Sequence, residues 1–139
     1  MSPGPVPHTG GCLCGAVRYE LAGALVDAGY CHCRQCQRAS GAPTVAWCTY
    51  PIAAFRYSRG APTAHQSSAR YQREFCSSCG TALVFRRQRD AELIDVTLAS
   101  LDTPDAIAPQ YHIWRMSRIA WFETSDALPR HEDAGPDQA

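Results

Sequence analysis

The chain has 139 residues, enough for one domain with a buried core, and 45% of them are apolar against 19% charged, a balance that excludes a disordered polymer. Thirteen basic residues, all Arg, offset thirteen acidic ones, so the formal charge is zero and nothing electrostatic points to nucleic acid or an anionic membrane. No run approaches 18 apolar residues, so no transmembrane helix is expected.

The predicted elements are short. Residues 1–7 are rich in Pro, Gly and Ser and read as a loose terminus. They lack the charged and apolar regions of a signal peptide, which predicts a cytoplasmic protein with reduced thiols. Val17, Tyr19 and Leu21 alternate with Arg18 and Glu20, the pattern of a half-buried strand. Residues 34–39 can form one helical turn. Thr44–Cys48, Phe55–Tyr57, Ala69–Phe75, Ala82–Phe85 and Leu93–Leu98 read as strands, and Arg86-Arg87-Gln88-Arg89 as the turn between the last two. Thr103-Pro104-Asp105 suits the start of a short helix, with a cap and then Pro at the first position. Ten Pro and ten Gly argue against anything longer. The tail 129–139 has little to bury and is expected to be loose, leaving 8–128 as a single, mainly β domain of short antiparallel strands. Trp47, Trp114 and Trp121 are expected in the core.

Eight Cys stand at 12, 14, 31, 33, 36, 48, 76 and 79. In a reduced chain, clustered Cys bind metal or carry redox chemistry. Cys12-Leu13-Cys14 and Cys76-Ser77-Ser78-Cys79 are each followed by Gly, which supplies the positive φ that a tight reversal needs. In extended chain, the sulfurs of a Cys-x-Cys pair share one face. Each pair is half of a tetrahedral site, and the four sulfurs together form a closed structural zinc set. The rival reading, a redox Cys-x-x-Cys, would want a βαβ context.

Cys31-His32-Cys33-Arg34-Gln35-Cys36 is different, with three thiols and no evident fourth ligand. Three protein ligands with an open position is the pattern of a reactive zinc, here one suited to thiol chemistry. Two other readings stand beside it: a closed site completed by His32 or Cys48, and an iron–sulfur ligand set. In extended chain His32 points away from its neighbours' metal, and Cys48 reads as a small buried hydrophobe. Arg34 and Arg38 lie next to the site and suit the carboxylates of a ligand. His112, Tyr111 and His32 are candidate proton donors.

The segments Gly11-Cys12-Leu13-Cys14-Gly15-Ala16-Val17, Cys31 to Cys36 with Ser40-Gly41-Ala42, and Phe75-Cys76-Ser77-Ser78-Cys79-Gly80-Thr81 resemble the glutathione-dependent formaldehyde-activating enzyme family, also called the CENP-V/GFA domain. Leu101-Asp102, His112-Ile113-Trp114 and Trp121 match its C-terminal pattern more weakly. The resemblance runs from about residue 8 to 128. It implies an Mss4-like fold, with several small coiled antiparallel sheets around zinc sites and at most short helical turns. It implies a structural zinc on Cys12, Cys14, Cys76 and Cys79, and a second, reactive zinc on Cys31, Cys33 and Cys36. The implied activity is that of a carbon–sulfur lyase joining glutathione and formaldehyde into S-(hydroxymethyl)glutathione. Another thiol or thioether substrate, or a zinc-binding interaction module without chemistry, are the alternatives. Arg34 and Arg38 are then candidate glutathione contacts, and His112 a candidate catalytic residue.

Overall fold

The computed structural model describes residues 7–136. The chain is mainly β, as expected, with short helical elements. Its strands are β1 (His8–Gly11), β2 (Arg18–Leu21), β3 (Asp27–Cys31), β4 (Val45–Pro51), β5 (Phe55–Arg59), β6 (Thr63–Gln66), β7 (Tyr71–Phe75), β8 (Ala82–Arg87), β9 (Leu93–Thr97) and β10 (His112–Ile113). One α-helix, α1 (Arg34–Ser40), follows β3. The predicted helix at Thr103 is a single 3-10 turn, Pro104–Ala106. Four strands carry no alternating apolar pattern and are not legible in the sequence. Those are β1, β3, the wholly exposed β6 and the two-residue β10.

Two sheets result. Strands β1-β2-β5 form a small one, and β10-β3-β4-β9-β8-β7-β6 a large one. Every pairing is antiparallel except β10 with β3. Tyr19 and Leu21 of β2 are buried, while Glu20 faces out and pairs with Arg56 across the sheet. In the large sheet, register decides which residues share a face. Cys48, Val96, Val84 and Glu74 stand opposite one another across β4, β9, β8 and β7, on the face that builds the main core. Thr49, Asp95, Phe85 and Arg73 form the next row and take the other face.

Glu74 therefore sits in the core as a carboxylate, 1% exposed. It accepts hydrogen bonds from Tyr57 Oη (2.7 Å), Gln72 Nε2 (2.7 Å) and Arg86 Nε (2.6 Å). Arg86 and Arg87 thus belong to β8 rather than to the turn predicted for them, because Arg86 is drawn in by that buried carboxylate.

The C-terminal segment also departs from expectation. Residues 129–133 are docked, not loose. The carbonyls of Pro129, His131, Glu132 and Asp133 accept from the N–H groups of His112, Arg115, Met116 and Trp114, and His131 N–H donates to the His112 carbonyl. The chain there runs beside β10 and satisfies backbone groups that would otherwise be orphaned. Residues 1–6 and 137–139 lie outside the described residues.

Candidate metal centres and the adjoining cavity

Cys12 and Cys14 lie in the reversal between β1 and β2, and Cys76 and Cys79 in that between β7 and β8. The first pair is not in extended chain as predicted. Gly15 N–H donates to Cys12 O at 3.1 Å, closing a turn that brings the two sulfurs to 3.6 Å. The second pair is closed by Gly80 N–H to Cys76 O at 2.8 Å. Gly15 (φ +81°) and Gly80 (φ +80°) have the left-handed backbone their positions predicted. All four sulfurs lie within 4.8 Å of one another and could hold a metal ion. Backbone and hydroxyl donors support the anionic form. Val17 N–H points at Cys12 Sγ, and the Thr81 hydroxyl is the main reason the Cys79 thiol falls to a pKa of about 5. The two turns belong to different sheets, so a metal here would join them.

The second cluster sits where β3 gives way to α1. Cys31 ends the strand. Cys33 is the helix N-cap, its sulfur accepting from Cys36 N–H at 3.2 Å. Cys36, in the first turn, lies 3.4 Å from Cys31 sulfur to sulfur. Gly41 closes the helix in the left-handed region, and the buried Gln37 side chain donates to His32 O and Ser117 O, fixing the loop from inside. These three sulfurs also lie within 4.8 Å of one another. On their own they cannot all ionise. Hydrogen bonds from Cys31 and then Cys36 hold the Cys33 thiol far below its ordinary pKa, and its contacts with Cys33 and Cys36, together with burial, push Cys31 far above. Three thiolates coexist here only around a cation, and an all-sulfur set suits zinc.

Neither proposed fourth ligand joins them. Cys48 faces the main core, its thiol bonded to Val96 O. His32 turns away, with Nε2 2.8 Å from His112 Nδ1, and burial followed by His112 lowers its pKa to about 4. His32 Nδ1 is buried without a hydrogen-bond partner. His112 is itself fully buried, its Nε2 3.1 Å from Asp126. Tyr111 donates to Asp27. These three candidate proton donors, His112 included, are thus engaged with one another or with a carboxylate.

In front of the cluster is a cavity of about 370 Å³, which none of the three lines. Cys31, Cys33 and Cys36 form one end, and Trp47, Phe85, Trp114 and Ile113 form apolar walls. Arg34, Arg73 and Asp95 add charge. Asp95 accepts a short hydrogen bond from Thr49 in the same row of the sheet. Arg34 donates to Gln37 Oε1 close to the helix start, whereas Arg38 is exposed and does not reach the cavity. Trp47 and Trp114 are half-buried, packed against the smaller buried cluster as well as lining the cavity, and Trp121 is 76% exposed. Trp114 holds φ +57°, an uncommon conformation for a bulky residue, kept in place by Asp133 of the docked tail.

No sequence signal singles out Arg73. It lies three residues before Cys76, and only the sheet register brings it near Cys36. Its Nη2 is 3.6 Å from Cys36 Sγ, and its guanidinium carbon is 4.9 Å from the Phe85 ring centroid and 6.0 Å from that of Trp47.

A family model described as glutathione-dependent formaldehyde-activating enzyme matches residues 7–117. No curated protein matches the chain. A crystal structure of a Rhodobacter sphaeroides protein is 31% identical, covering 68% of this chain and 87% of that one, with a TM-score of 0.57. The chain belongs to the glutathione-dependent formaldehyde-activating enzyme family.

Proposed function

Starting from that membership, we propose that the protein is a zinc-dependent carbon–sulfur lyase acting on a thiol–carbonyl adduct. The favoured pair is glutathione and formaldehyde, giving S-(hydroxymethyl)glutathione. The observation that carries this reading is the three-sulfur cluster opening directly onto a cavity. Two zinc ions per chain are proposed, a structural one on Cys12, Cys14, Cys76 and Cys79 and a reactive one on Cys31, Cys33 and Cys36. Eight free thiols suit a reducing, cytoplasmic setting.

Zinc in the second site supplies a positive charge that favours the thiolate form of an incoming thiol near neutral pH. The three Cys hold one end of the cavity in a fixed geometry, since Cys33 is locked as helix cap and Cys31 by its strand. Trp47, Phe85 and Trp114 shield that end from water and orient the substrate along the apolar walls. The thiol gives its proton to solvent and the sulfur attacks the carbonyl carbon. A C–S bond forms, the C=O π pair moves onto oxygen, and the alkoxide takes a proton from solvent.

The wall residues also support the second reading. That reading, another thiol or thioether at the same site, fits the apolar lining of Trp47, Phe85 and Trp114. Exchange NMR on zinc-loaded protein tests the favoured pair. A rate of interconversion between glutathione and its hydroxymethyl adduct that rises with enzyme, and returns to background in Cys33→Ala, supports the favoured pair. No rise, from protein carrying two zinc ions, rejects it.

A further inference from the structure

We propose that Arg73 is the fixed cation of the open site, favouring an anionic thiolate over a neutral ligand in front of Cys31, Cys33 and Cys36. The inference rests on the thiol-binding reading above and names the residue that would make such binding selective.

Arg73 projects from the middle of β7, on the face opposite Glu74. Trp47 and Phe85 flank its guanidinium, and Phe85 is stacked in turn on Tyr71. That clamp fixes the charge before any ligand arrives. Asp95, in the same row of the sheet, is the carboxylate that shares the cavity with Arg73. Its Nε is buried without a hydrogen-bond partner. A half-buried cation is costly unless anions face it. The anionic groups of its cavity are Asp95 and the sulfur cluster, and Nη2 reaches the latter at Cys36 Sγ, 3.6 Å away.

Charge counting gives the reason for the selectivity. Three thiolates, one divalent ion, and the Asp95 and Arg34 side chains of the same cavity sum to minus one, and Arg73 brings the site to neutral. An incoming thiolate then adds one negative charge to a neutral site. Without Arg73 it would add to one already negative, in a cavity whose apolar walls screen poorly. Guanidinium also has five N–H donors and does not deprotonate, so it stays available as the charge moves from sulfur to the carbonyl oxygen. Arg34 keeps its charge at the cavity but does not substitute, because it is exposed to screening solvent and tied to Gln37.

The test is calorimetric titration of two-zinc protein with two probes, glutathione and 2-mercaptoethanol, the second having no carboxylate. Wild type, Arg73→Gln and Arg73→Lys are compared after metal analysis and circular dichroism show equal zinc and equal folding. The expected result is that Arg73→Gln weakens both thiols alike, roughly tenfold to a hundredfold, and that Arg73→Lys restores much of the loss. Weakening of glutathione alone would make Arg73 a carboxylate clamp and overturn the proposal. Unchanged binding of both would overturn it too. If wild type binds neither thiol, the thiol-binding reading fails first, and that failure is seen without any variant. Should Arg73→Gln lose zinc, Arg73→Lys and Arg73→Met, which separate charge from bulk, carry the comparison at matched metal content. Equal affinity in those two refutes the role of charge.

Discussion

Replacing Glu74 by Leu should be the most damaging single change outside the cysteines. The carboxylate is 1% exposed and takes three hydrogen bonds, from Tyr57, Gln72 and Arg86, with Arg86 also its ion-pair partner. Leucine fits the volume but leaves three donors without an acceptor. Breaking a buried pair by removing one partner costs about 3–5 kcal/mol, and because the Arg86 side chain is 29% exposed, solvent offsets part of this and the lower end, about 3 kcal/mol, is expected. Glu74→Gln keeps the shape and an acceptor oxygen but loses the charge, and should cost less, about 2–3 kcal/mol. Urea unfolding in excess zinc reads this directly. With a slope of about 1–3 kcal/mol per molar, Glu74→Leu should move the midpoint by more than about 1 M. Because Glu74 and Arg73 are adjacent on β7 and face opposite ways, the same loss should loosen the strand that presents Arg73 to the cavity. A Glu74→Leu midpoint within about 0.3 M of wild type would refute the reasoning, since it would mean the buried network is not satisfied by this carboxylate.

The two cysteine clusters should respond differently. Cys76→Ser should unfold the protein, because structural zinc contributes on the order of 10 kcal/mol in small zinc peptides, comparable with a whole domain's stability. Cys33→Ser should stay folded by circular dichroism, lose one zinc and bind no thiol. Equal unfolding of both would make the second site structural. Ending the chain at Leu128 should cost on the order of 1–3 kcal/mol and weaken thiol binding, because Trp114 loses its hydrogen bond to Asp133. An unchanged melting temperature would show that the docked tail contributes nothing. For His32 the folded pKa is depressed, to about 4, below the ordinary 6.5. Its contribution is therefore present above pH 6.5 and is lost as pH falls toward 4. Wild type should lose stability between about pH 6.5 and 4.5 more steeply than His32→Gln, and parallel curves would remove His32 as the cause.

The sequence carries most of the two sulfur clusters and much of the sheet, for identifiable reasons. Ligand pairs are local, so Cys12 with Cys14 and Cys76 with Cys79 can be read from spacing, and the glycine after each pair marks the left-handed turn. Strands β2, β4, β7, β8 and β9 have the apolar content of half-buried or core strands. By contrast, β6 is exposed along its length and exists only because β7 offers it an edge. The tail 129–133 looks loose because it buries little apolar surface, yet it docks through main-chain hydrogen bonds that leave no trace in composition. The tryptophans mislead in part, for a similar reason. Trp47 and Trp114 face a cavity that forms only when β4 and the segment after β10 meet, and Trp121 is exposed beside Phe122. Arg73 is invisible in the sequence because its proximity to Cys36 spans 37 residues and depends on sheet register.

What separates the two clusters is their surroundings more than their chemistry. Both are built of thiols brought within 4.8 Å by backbone turns. The first has four sulfurs, drawn from two reversals in two sheets, so a metal held there would have four protein ligands and would fasten the sheets together. The second has three, held by a strand end and a helix cap that belong to one continuous segment, so it fastens little. Instead it faces an aromatic-walled cavity in which Arg73 is held over two rings. A fourth protein ligand is kept away by fold as well as by sequence, since Cys48 is committed to the core and His32 to His112. Cys48 and His32 are thus kept off the cluster by the packing around it. That packing, and not the count of cysteines, is the stronger argument that the second site meets a substrate.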